Sequence, residues 1–195
     1  LRPDLGGIND GGMTEAGAFP QILIITGAMA AGKSTVAQGL AERLERSVHL
    51  RGDVFRRMIV SGRVDPTPGA IEAWRGQLRL RHELAWMVAD RYARDGFTVI
   101  YQDILNEALT DAVAALAAWS PGVVVLCPTA ESLSRREAGR GKSGYKGGWT
   151  PAEFDLLVRE TTPRIGLWLD SSALTAAETV GAILANPEAA RAGMG

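Results

Sequence analysis

Gly27-Ala28-Met29-Ala30-Ala31-Gly32-Lys33-Ser34 fits the spacing GxxxxGK[ST], and it stands between the aliphatic run Ile22–Thr26 and a stretch whose helix opens at Ser34 or Thr35. Glycine at both ends lets backbone N–H groups curl around a phosphate without Cβ obstruction, and the helix start adds partial positive charge. In that geometry Lys33 faces the β- and γ-phosphates of a nucleotide and the Ser34 hydroxyl ligates Mg2+. The expected nucleotide contacts are therefore Gly27, Ala28, Met29, Ala30, Ala31, Gly32, Lys33, Ser34 and Thr35. The competing reading is a tight strand-to-helix turn with a surface lysine. The strand before it and the amphipathic helix after it weigh against that.

Working outward, short aliphatic runs alternate with longer amphipathic stretches, which is the signature of an α/β fold with a parallel sheet. The strands predicted are Ile22–Thr26, Ser47–Leu50, Phe97–Gln102, Val123–Leu126 and Ile165–Leu169. Helices are predicted over Ser34–Leu44, Val54–Val60, Ala70–Arg94, Glu107–Trp119, Ala130–Gly139, Pro151–Glu160 and Thr175–Leu184. Five strands suffice for a three-layer architecture, a five-stranded parallel sheet flanked by helices. In the longest helix Leu80, Leu84, Met87 and Val88 recur on one face, which predicts that this face packs on the sheet. The Gly/Pro-rich connections Gly62–Gly69 and Gly139–Trp149 read as mobile loops, the second as a small lid.

Composition bounds the alternatives. The chain has 195 residues with a net charge of −1 and 46% apolar residues, enough for one domain with a sizeable core and too apolar for intrinsic disorder. No apolar run reaches the length of a membrane span, since Ala112 to Cys127 is broken at Trp119, Ser120 and Pro121. The balanced charge argues against nucleic acid as an obligatory partner. Cys127, the one cysteine, excludes an intrachain disulfide; with no secretory signal in the first 20 residues, it fits a reducing, cytoplasmic setting. Residues 1–20 read as a flexible leader with Met13 a candidate start, residues 21–185 as the folded domain, and residues 186–195 as a fraying tail. Nothing in the sequence fixes an oligomeric state.

In open parallel sheets ligands sit beyond the carboxyl ends of the strands, so polar residues there carry the chemistry. Asp53 follows His49-Leu50-Arg51-Gly52 and opens the next helix. It is either a carboxylate that takes or orients the proton of an attacking hydroxyl, or a plain helix N-cap. Asp103 ends the run Val99–Gln102 and is either a carboxylate that orients Mg2+ or its water, or a second cap. Arg56 and Arg57, one turn after Asp53, are placed to grip an anionic acceptor or form an ordinary charged surface. The candidate acceptor-side residues are thus Asp53, Arg56, Arg57 and Asp103, and the candidate Mg2+ ligands Ser34 and Asp103. Arg136 and Arg140, four apart on one helix face, either neutralise charge on a transferring phosphoryl group or form a solvated charged face.

In order along the chain, Gly27–Ser34, the segment His49 to Phe55 around Asp53, Asp103, Arg136-Glu137-Ala138-Gly139-Arg140 and Leu167-Trp168-Leu169-Asp170-Ser171-Ser172 resemble the chloramphenicol phosphotransferase-like kinases. The resemblance runs from about Gln21 to Leu184. It implies a P-loop kinase fold with a small lid, use of ATP and Mg2+, and transfer of the γ-phosphoryl group to a hydroxyl of a small molecule, antibiotics being one class. By this similarity Asp53 matches the acceptor-activating aspartate, Lys33 and Ser34 the nucleotide residues, and Arg136 and Arg140 the lid arginines. Asp170, Ser171 and Ser172 would lie near the adenine. Gly62–Gly69 departs from the pattern in the region that shapes the acceptor pocket, so the substrate does not carry over. A polynucleotide or zeta-toxin-type nucleotide-sugar kinase shares the same loop and aspartate. A guanine-reading NKxD tetrapeptide is missing, which counts against a regulatory GTPase. A non-catalytic ATP-binding switch has no use for a base at position 53.

Overall fold

The computed structural model describes residues 19–65, 68–139 and 150–191. Strand β1 (Ile22–Gly27) is buried along its whole length, as an uninterrupted apolar run requires when both faces of a sheet are covered. It pairs with β3 (Thr98–Gln102) on one side and β4 (Gly122–Leu126) on the other, while β2 (Ser47–Arg51) flanks β3 and β5 (Leu167–Leu169) flanks β4. The order is β2-β3-β1-β4-β5 with every pair parallel, the expected five-stranded sheet. All five carboxyl ends therefore meet at one edge.

The helices are α1 (Lys33–Ala41), α2 (Asp53–Arg57), α3 (Ile71–Arg94), α4 (Leu109–Ala115), α5 (Ala130–Ala138), α6 (Pro151–Thr161), α7 (Ala176–Leu184) and α8 (Pro187–Ala190). On one face of the sheet Leu23, Ile25 and Val124 pack with Leu40 of α1, Leu133 of α5, Val158 of α6 and Ile183 of α7. On the other, Ile22, Ile24, Val99 and Tyr101 pack with Ala85 and Ala89 of α3 and Leu109 of α4. Each fully buried Leu or Ile contributes about 1.5–3 kcal/mol. Helices α6 and α7 both open on capping boxes, Thr150 with Glu153 and Thr175 with Glu178, so local sequence sets where they begin.

Three expectations need correction. The sheet-facing stripe of α3 is His82, Ala85, Ala89 and Ala93, whereas Leu80 and Met87 are 48% and 69% exposed. Small side chains let this helix lie close on the sheet, and the large apolar residues that suggested the opposite face flank the contact or point outward. The helix predicted over Val54–Val60 stops at Arg57, and its first residue is Asp53. The tail expected from residue 186 is docked through Arg191. Pro187–Ala190 is helical, Ala190 is 1% exposed within the core, and Arg191 bridges to Gly122. At the other end Phe19 packs on the same core and Pro20 is buried, while the remainder of the expected leader lies outside the described residues.

Candidate active site

The Gly27–Ser34 loop leaves β1 and enters α1. Gly27 has φ 134°, and a Cβ there would stand 2.3 Å from the Leu126 carbonyl oxygen, so this position accepts only glycine. Gly32, at φ 97°, is the N-cap of α1; no side chain caps the helix, and its first turn holds no acidic residue. An N-terminus with uncapped N–H groups and no competing carboxylate suits an anion. It opens on a cleft of about 430 Å³ bordered by the loop, Arg136, Ser171, Leu174 and Thr179.

Lys33 is 9% exposed, and its Nζ donates to the carbonyls of Gly27 at 2.9 Å and Ala28 at 2.7 Å. Arg136 reaches over from α5, donating through Nη1 to the Ala31 carbonyl at 3.2 Å and through Nη2 to the Ser171 carbonyl at 2.6 Å. Ser171 is buried. Ser172 donates through both its N–H and hydroxyl to Asp170, holding that carboxyl below the usual carboxylate range, and its Oγ accepts from the Thr129 N–H at 2.7 Å. The structure therefore brings Arg136 and Ser171 to the phosphate loop. Asp170 and Ser172 form a tight turn beside it. Thr35 lines the cleft but is itself exposed. Arg140 and the expected lid lie outside the described residues.

On the acceptor side Asp53 is the first residue of α2 and caps nothing; the N-cap is Gly52. The Asp53 carboxylate pairs with Arg57 one turn later and lies 3.6 Å from Arg51 Nε, with its side chain 33% exposed. Arg56 is occupied by Asp65 and also reaches the Val64 carbonyl, so it secures residues 62–65 of the connection to α3. Gln77 of α3 holds that connection too, bonding the Gly62 carbonyl and the Val64 N–H.

The surroundings of Asp103 do not match a Mg2+ ligand. Its carboxylate is 3% exposed and gripped by Arg81 of α3, with the Ile104 N–H donating at 2.7 Å. The residue that faces Ser34 is Gln102, whose Oε1 lies 3.4 Å from the Ser34 hydroxyl. Side chains alternate along β3, so Gln102 points to the α1 face and Asp103 to the α3 face. That alternation could have identified Gln102 in the sequence. Nothing in the sequence paired Arg81 with Asp103. Among the described residues no group of three or more His, Cys, Asp or Glu is arranged to hold a metal. Ser34 and Gln102 fit an ion that arrives with phosphates and waters and needs only one or two protein oxygens.

Among the described residues no helix is long and apolar enough to cross a membrane. No curated protein sequence matches the chain. Its fold is similar to that of a tunicamycin resistance protein from Deinococcus radiodurans, at 18% identity and TM-score 0.62 over 87% of this chain and 95% of that one. It is similar to shikimate kinase from Acinetobacter baumannii, at 20% identity and TM-score 0.58 over 86% and 92% of the two chains. It is also similar to a gluconokinase from Sinorhizobium meliloti 1021, at 17% identity and TM-score 0.55 over 87% and 93%. Identities this low show a shared P-loop kinase-like fold and nothing finer. The AAA_33 family model, described as an AAA domain, matches residues 22–156. This match is broader than the resemblance read from the sequence and does not single out chloramphenicol phosphotransferase-like kinases. With more than half of its length matched, the chain belongs to this AAA domain family.

Proposed function

We propose that the chain is a kinase that moves the γ-phosphoryl group of ATP to a hydroxyl of a small molecule, with Mg2+ as cofactor, and that it works in the cytoplasm. The observation that carries this reading is the position of Asp53. Its carboxylate opens α2 beyond β2 on the same sheet edge as the phosphate loop beyond β1, with only β3 between them. A module that merely bound nucleotide would gain nothing from a carboxylate there. Asp53 takes the proton of the acceptor hydroxyl as its oxygen bonds to phosphorus and the bond to the ADP oxygen breaks. Lys33 and Arg136 neutralise the charge that spreads over the phosphoryl oxygens. Ser34 and Gln102 would hold Mg2+, which supplies further neutralisation when bound. The residue order resembling chloramphenicol phosphotransferase-like kinases supports an alcohol acceptor. The tunicamycin resistance protein and the shikimate and gluconate kinases of the same fold support a small one, antibiotics included.

The test is a panel of hydroxyl-bearing metabolites and antibiotics incubated with γ-labelled ATP. Label should pass to one chemical class. Asp53→Asn should keep ATP affinity and lower turnover at least about 100-fold. A wild-type rate in that variant would overturn the role given to Asp53, and a chain that binds no ATP would overturn the kinase reading.

A further inference from the structure

We infer that Arg81, acting through Asp103 and Gly52, is a positioning residue that holds the Asp53 carboxylate at the acceptor edge. The catalytic consequence rests on the kinase reading above. The structural part does not.

None of the five residues of α2 is fully buried, and only Phe55 packs in part on the α3 side of the core. What fixes its start is Gly52, whose N–H donates to the Gln102 carbonyl at 3.0 Å and whose Cα lies against the Asp103 carboxylate. A Cβ at position 52 would stand 1.9 Å from Asp103 Oδ2 and 2.6 Å from its Cγ. The φ of Gly52 is −61°, a value open to any residue, so glycine is needed here for space and not for backbone freedom. The carboxylate that fills this space is itself bonded on both oxygens. Arg81 Nε donates to Oδ2 at 2.9 Å and Nη2 donates to Oδ1, a two-pronged match that sets both the distance and the plane of the carboxylate. The Tyr101 hydroxyl lies 3.4 Å from Oδ2 and the Ile104 N–H donates to Oδ1. Both partners are shielded, with side chains 16% and 2% exposed.

A buried ion pair is a poor source of net stability, since desolvation cancels most of the attraction, but its directional bonds define one geometry. Here the defined geometry is the contact on which the residue before Asp53 rests. The last residue of β3 and the residue that follows it thus serve opposite sides of the sheet. Gln102 faces the phosphate loop, and Asp103 supports the acceptor carboxylate.

The experiment uses the full chain carrying Asp103→Asn, Arg81→Lys or Arg81→Met, with Gly52→Ala as a variant that disturbs the contact sterically and leaves both charges in place. Crystal structures without nucleotide should show the start of α2 and the Asp53 carboxylate displaced from the end of β3 while Gly27–Ser34 is unchanged. Calorimetry should give ATP affinity within twofold of wild type. Release of ADP, with water or an acceptor from the panel, should fall about 10–100-fold in kcat with KM for ATP unchanged. Arg81→Lys keeps the charge without the fork and should recover little. If Arg81→Met does not fold, the isosteric Asp103→Asn and the steric Gly52→Ala still decide. An Asp53 that keeps its place against the end of β3 in these variants, or wild-type kcat in a protein whose Asp53→Asn variant is impaired, would overturn the positioning role. A displaced Asp53 in a chain that transfers no phosphoryl group would support the positioning role and sink only the kinase reading.

Discussion

Arg136 donates to the carbonyl of Ala31 at 3.2 Å across 105 residues of sequence, so a helix from the second half of the chain holds the inner wall of the phosphate loop. The same guanidinium bonds the Ser171 carbonyl, and one cation thereby ties α5, the loop and the turn after β5 together. Arg136→Ala should weaken ATP binding about 10–100-fold, the scale of one charge-assisted hydrogen-bond group, and lower Tm by a few degrees. Arg136→Lys should restore only part, because an ammonium cannot fork between two carbonyls. Calorimetry and thermal melting check both; unchanged ATP affinity in the alanine variant would remove Arg136 from the nucleotide site.

Lys33 bonds two carbonyls of its own loop, Gly27 and Ala28, which keeps its ammonium inside the cradle. Lys33→Met should abolish transfer and weaken ATP binding at least about tenfold, while the fold survives. The comparison to make is ATP titration alongside far-UV circular dichroism, since binding at wild-type strength would leave the lysine without its assigned role.

Ala30 sits within the loop at φ 62°, a left-handed conformation that costs a side-chain-bearing residue about 1–2 kcal/mol. Ala30→Gly should therefore raise unfolding free energy by about 0.5–1 kcal/mol after the added chain entropy is counted. Gly27→Ala should do the reverse and lose at least about 2 kcal/mol, since its Cβ would overlap the Leu126 carbonyl. Urea unfolding reads both; a destabilised Ala30→Gly variant would show that the loop does not hold this conformation.

His82 is 4% exposed on α3, stacked on Trp86, and burial together with the neighbouring Arg81 pushes its pKa from 6.5 down to about 4. The unfolded chain therefore takes up a proton below pH 6.5 that the folded chain refuses until about pH 4, and stability falls as pH drops through that window. The loss should approach about 3 kcal/mol at the acid end. His49, also held low by burial, adds in the same direction, so the informative comparison is wild type against His82→Gln. The carboxyls of Asp90 and Asp170 are lowered below 3.8 and withdraw their support only under this window. If denaturant midpoints at pH 7 and 5 differ equally in both proteins, His82 is not the group responsible.

The strands and the phosphate loop could be read directly from the sequence because their signals are local. An unbroken aliphatic run, a glycine pair at fixed spacing and a lysine beside a serine need no knowledge of what lies across the sheet. The reading of α3 failed because hydrophobicity and burial part company where a helix packs closely. Ala85, Ala89 and Ala93 carry the contact, and Leu80 and Met87 do not. Asp103 shows a second limit. A carboxylate at a strand end has two faces open to it, and only the register of β3 decides that Gln102 and not Asp103 meets Ser34. The Arg81–Asp103 pair joins residues 22 positions apart on different elements, and no local pattern announces it.

The family match ends at residue 156, yet β5, α7 and α8 lie beyond it. Strand β5 covers the outer side of β4, α7 packs on α1, and Ala190 completes the core beneath them. An expression fragment cut at the matched boundary would bare the backbone of β4 and a strip of aliphatic surface, the usual recipe for inclusion bodies. Recombinant boundaries are better drawn to include Phe19 and Arg191.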